Sequence, residues 1–325
     1  MLTSLIKGFW TALKTPKLVL LLWLWTLLLG LAATMPAPAW FTAALDRSPE
    51  ASGLLTRFSL GTFADLSKYQ AIKPLELLVA GIAGIAIVAL AGSAFVGGGM
   101  IAVIGSPADS RTFMHRFFRG GGHFFWRFVR LAVTALVLGG VAVAVTAAAA
   151  GAAVEPLTDS EWEPAGMFWG LVAAGLAGLV GLWFVLALDY ARIRTARDGS
   201  RGMVRVYLGS LGFVARRVAG TYLIALTCLA VTGALLVAYV AHEAAWTMSS
   251  WAAIVVLVAT QQVIVMGRAG VRVTQVAAEW HYFAAAAPPL PAVAPVAPAV
   301  TEPAEDMPGP SARPAAEPGA EPRQD

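Results

Sequence analysis

Cysteine is nearly missing from this sequence, with one thiol, Cys228, in 325 residues. An intramolecular disulfide is therefore excluded, and so is a zinc centre of clustered thiolates. Charge is scarce as well, at 13% Asp, Glu, Lys and Arg, where soluble proteins carry roughly 25%. With 58% of the residues hydrophobic, a water-soluble fold could not hide the apolar surface. The four histidines, His115, His123, His242 and His281, are scattered, and none has the i, i+4 spacing of a helical metal motif. Gly97, Gly98 and Gly99 are not followed by the Lys-Ser or Lys-Thr of a phosphate-binding loop, and no Gly-x-Ser-x-Gly elbow occurs. No cofactor, metal or catalytic residue is expected, and the chain is read as a non-enzyme.

What is present is long apolar runs. A spanning helix needs about 20 apolar residues, because the hydrocarbon core is about 30 Å thick and each residue rises about 1.5 Å. Six stretches meet that demand: Leu18 to Thr34, Leu75 to Val96, Val129 to Val154, Met167 to Leu188, Val218 to Ala241 and Ser250 to Gly267. The expected fold is all-α, a polytopic membrane helix bundle of about six transmembrane helices. The second run continues through Gly97–Gly99 to Ile104, too long for one straight crossing, so a tilt or a bend at the glycines is expected.

Basic residues fix the expected orientation. Of the 23 Lys and Arg, 19 fall on one side: before the first run, between the second and third with Arg130 at the very start of the third, between the fourth and fifth, and after the sixth. The other side holds four, and its segment with Glu155, Asp159, Glu161 and Glu163 has none. By the positive-inside rule both termini are cytoplasmic, in a cell inner membrane. The net charge of +4 thus reports topology and gives no support to nucleic-acid binding. A signal peptide is the competing reading of the first run, but Leu18 to Ala33 exceeds a usual signal core. Ahead of it, Leu2, Leu5, Ile6, Phe9, Trp10 and Leu13 recur at helical spacing opposite lysines, which predicts an amphipathic helix in the cytoplasmic interface.

Basic-aromatic segments also precede the third run, at Phe124-Phe125-Trp126-Arg127, and the fifth, at Gly212-Phe213 with Arg216-Arg217. Either three copies of one unit, an interfacial helix followed by a hairpin, or the ordinary composition of a helix entering from the cytoplasm accounts for them. In the fourth run Gly170, Ala174 and Gly178 form one small-residue row, and Ala173, Ala177 and Gly181 another, as in closely packed bundles. Between Met35 and Pro74 an apolar pattern, Leu54 to Leu66, predicts a short surface helix. Two domains are expected: a helix bundle over 1–287 and a disordered cytoplasmic tail over 288–325, where eleven of the 19 prolines fall.

Polar residues in or beside the bilayer are expensive and often functional. Asp189 follows the fourth run directly with Arg192 beside it; Gln261 and Gln262 lie inside the sixth; Arg268 and Arg272 follow at its cytoplasmic end. If the fourth and sixth helices are neighbours, Asp189 pairs with Arg268 or Arg272 as an ion pair that fixes helix register.

The order of Gly97–Gly99, Phe124-Phe125-Trp126-Arg127, Asp189-Tyr190-Ala191-Arg192-Ile193-Arg194, Gln261-Gln262 and the final arginines resembles that of uncharacterised bacterial six-helix membrane proteins. Their layout is similar to the non-catalytic membrane domain attached to some glycerophosphodiester phosphodiesterases. The resemblance covers about residues 1 to 285 and implies a fold and a location, with no activity to carry over. The expected role is structural, in assembly or in interaction with a membrane-protein partner within the lipid bilayer; the alternative is transport of a small solute or lipid.

Overall fold

The computed structural model describes residues 1–35, 73–105, 112–158, 164–200, 202–245 and 250–287. They fold as helices throughout: α1 Leu2–Lys14, α2 Pro16–Thr34, α3 Lys73–Ile104, α4 Phe113–Thr158, α5 Pro164–Asp198, α6 Met203–Arg216, α7 Val218–Ala245 and α8 Trp251–Ala286. Six of these, all but α1 and α6, are long and apolar enough to cross a membrane. The all-α polytopic bundle expected from the sequence is what the chain forms. The surface helix expected before Pro74, the acids from Asp159 to Glu163 and the tail from Pro288 lie outside the described residues.

The apolar runs are only parts of the helices that carry them. α4 starts at Phe113, α5 runs on to Asp198, and α8 continues to Ala286, 36 residues in all. At about 1.5 Å per residue such a helix is some 54 Å long, far beyond a hydrocarbon core of about 30 Å. The extensions collect at the end of the bundle that holds α1 and α6. There lie the fully buried Phe117, Phe128, Leu186, Tyr190, Tyr207, Val214 and Val273. In the opposite halves of the spans, Val137, Val141, Leu171, Val237 and Val255 are exposed. Hydrocarbon is an adequate solvent for such side chains, so nothing drives the far halves together as water would.

α1 reaches its place by the pattern of its faces. Ser4, Gly8 and Ala12 form the buried row, which lies along α8. A methyl on Gly8 would stand 2.6 Å from the carbonyl oxygen of Thr274 and 2.9 Å from the Ala278 methyl, so only glycine allows this approach. The break before α2 has a local cause. Thr15 precedes Pro16, which disfavours the helical conformation at Thr15 (φ −120°, ψ 56°), while Pro16 itself fits the first turn of α2. α6 and α7 repeat the device without a proline, breaking at Arg217 (φ −132°, ψ 34°). Measured back from each break, buried Ser4, Gly8 and Ala12 occupy the same positions as buried Val206, Ser210 and Val214. The third basic-aromatic segment differs, since it is continuous with its span in α4.

The glycine run in α3 does not interrupt the helix. It serves contact with α4: methyls on Gly98, Gly99 and Gly121 would lie 3.0 Å, 2.8 Å and 3.0 Å from the carbonyl oxygens of Gly120, Phe117 and Phe95. Paired glycines let the two backbones cross in near contact. Among the described residues only one small-residue row of α5 packs against a neighbouring helix. Gly181 meets Val143 of α4, whereas Gly170, Ala174 and Gly178 face outward, against the bundle packing expected of both rows.

Candidate functional site

Asp189 and Arg192 lie one turn apart near the end of α5, and Arg272 lies two-thirds of the way along α8. Arg272 donates two hydrogen bonds to Asp189, Nη1 to Oδ2 and Nη2 to Oδ1, each 2.9 Å. Arg192 Nη1 approaches Oδ1 at 3.4 Å from the same helix. The carboxylate is 4% exposed and holds both its oxygens in charge-assisted contacts, as a buried anion requires. Arg192 also lies over the Phe128 ring, 5.9 Å from its centroid, and so ties α4 to the pair.

Arg268, the other partner considered from the sequence, is exposed and makes no ion pair among the described residues. It sits one turn nearer the far end of α8, where Asp189 does not reach. Gln261 is exposed on α8, and Gln262 accepts a hydrogen bond of 3.1 Å from Trp23 Nε1, fastening α2 to α8 at membrane depth. The six polar residues singled out in the sequence thus divide. Asp189, Arg192 and Arg272 form one cluster, Gln262 makes a separate helix contact, and Gln261 and Arg268 join neither.

A further acid belongs to the cluster. Glu279 is 0% exposed, on the face of α8 that carries Arg272 and Gln275. Gln275 Nε2 donates to its Oε1 at 2.9 Å, and its Oε2 has no hydrogen-bond partner among the described residues. Glu279 acts electrostatically on Asp189, Arg192 and Arg272. Its place was obscured because the sixth apolar run stops at Gly267 while the helix does not. Continuing the helical period from Arg272 by three and seven residues would have found Gln275 and Glu279 on one face.

Aromatic side chains close the cluster toward the α6 end. Tyr190, Phe213 and Phe283 meet at centroid distances of 5.1 to 6.3 Å. Arg217, at the α6–α7 break, stacks on Phe213 and donates to the Ala286 carbonyl at 3.1 Å, satisfying an otherwise free acceptor at the end of α8. Tyr207 of α6 donates to the Phe184 carbonyl at 3.1 Å, and burial pushes its hydroxyl up to about 12.

Chemically the arrangement is two arginines bonded to one buried carboxylate, Asp189, with a second buried acid, Glu279, held by Gln275, and with Arg272 part-exposed. Among the described residues no three His, Cys, Asp or Glu side chains are grouped to hold a metal ion. His242 and Glu243 stand together at the far end of α7, away from the cluster. Compared with family models, curated proteins and solved structures, the chain matches none.

Proposed function

We propose that this chain is a non-enzymatic, multi-pass protein of the bacterial inner membrane, with both termini in the cytoplasm, acting as a structural, assembly or interaction component. The observation that carries this reading is the distribution of packing. The α1/α6 end is locked by Asp189, Arg192 and Arg272, whereas the far halves of α4 and α5 present Val137, Val141 and Leu171 outward. A substrate site would want polar groups left free at a cavity, and the oxygens of Asp189 are already taken up. A membrane-embedded partner helix would find apolar side chains and the small outward row of α5 to pack on.

Photo-crosslinking amino acids at Val137 and Leu171, irradiated in native membranes, test the reading. Discrete protein adducts are expected; lipid adducts alone at both positions would contradict an interaction role. Transport of a small solute or lipid is the second reading, favoured by the enclosed Glu279 with one unbonded oxygen. Flux across proteoliposomes that is lost in Glu279→Gln would replace the first reading with the second.

A further inference from the structure

On one side of α8 the bundle leaves a groove of about 840 Å³ whose walls are almost entirely apolar. Its cause is the helix arrangement. α2 and α7 both pack on α8 and scarcely on each other, and α8 presents Gly267 and Gly270 between them, where side chains would otherwise fill the gap. Phe9 and Leu13 of α1 form the roof, and Cys228 and Val231 of α7 the opposite wall. Phe9, Leu13 and Val231 are exposed, so the groove opens on the outer surface of the bundle. At this depth that surface meets acyl chains.

The roof is also charged on its other side. Lys14 and Lys17 flank the lining residues Leu13 and Pro16, and both are exposed. An acyl chain lying in the groove would therefore bring its phosphate to the α1–α2 junction, beside two ammonium groups at headgroup level. We propose that the groove is a binding site for one anionic phospholipid, with an acyl chain along Gly267 and Gly270 and its headgroup on Lys14 and Lys17. The apolar lining selects the chain, and the lysines select the charge. This goes beyond the proposed function and does not depend on it, since an interaction component or a transporter could equally carry the lipid.

The full chain, delipidated in detergent, should be titrated with dioleoyl phosphatidylglycerol and with dioleoyl phosphatidylcholine, and bound lipid counted by native mass spectrometry. One phosphatidylglycerol is expected to bind about tenfold more tightly than phosphatidylcholine. Lys14→Gln with Lys17→Gln should abolish the preference. Gly270→Leu should remove binding of both lipids, because a Cβ there meets no atom within 4 Å and the side chain enters the groove without strain. Val231→Trp fills the groove from the opposite wall, so the test survives if either variant fails to fold. Equal binding of the two lipids, or full binding by a folded groove-filling variant, would overturn the proposal.

Discussion

Arg272 grips both carboxylate oxygens of Asp189 at 2.9 Å, across helices whose two residues are 83 positions apart in the chain. A bidentate contact of this kind fixes distance, depth and rotation of α5 against α8 at once. Asp189→Asn would take from Arg192 and Arg272 the carboxylate that both contact. Breaking a buried pair from one side costs about 3–5 kcal/mol, but the Arg272 side chain is 36% exposed, so about 2–3 kcal/mol is expected. The double variant with Arg272→Met should lose less than the sum of the single losses, read from unfolding in mixed micelles. Strict additivity would show that the pair is not coupled.

Glu279 gives a contrasting expectation. Glu279→Gln keeps the volume and a partner for Gln275, so stability should change by about 1 kcal/mol or less. Glu279→Ala leaves a cavity and an unpartnered amide and should cost about 2–4 kcal/mol. Equal losses in both variants would mean that the carboxyl group itself is required.

Gly8→Leu tests the seating of α1. Its Cβ would fall 2.6 Å from the Thr274 carbonyl oxygen, and backbone cannot yield as a side-chain tip can. Overpacking at such a contact costs about 1–3 kcal/mol. Release of α1 should appear as faster proteolysis near Thr15 with the six spans intact. Unchanged proteolysis would place α1 elsewhere.

The Trp23–Gln262 hydrogen bond should matter less. Gln262→Leu is expected to cost about 0.6–1.5 kcal/mol, the range for hydrogen bonds between membrane helices. A loss as large as that of Asp189→Asn would mean that α2 is held mainly by this contact.

The six spans were legible because length and hydropathy alone decide them. The pairing of Asp189 was half legible. Arg268 and Arg272 are one turn apart on nearly the same face, so composition could not choose between them; the axial position of α8 does. The role of Gly97–Gly99 in helix contact depends on Gly120 and Gly121 in another helix, a tertiary fact that a local reading of α3 does not supply. Glu279 was hidden because α8 changes from uniformly apolar to one-sided after Gly267, and a hydropathy criterion ends the helix there.

The threading proposed for this chain has six crossings, with the Asp189 cluster at the cytoplasmic end and the acidic segment between α4 and α5 outside. It is tested most directly by placing single cysteines at Ser160 and Ser200, with Cys228 replaced by serine, and labelling intact spheroplasts with an impermeant thiol reagent. Ser160 is expected to label in intact spheroplasts, and Ser200 only after lysis. Labelling of Ser200 in intact cells with none at Ser160 would contradict it.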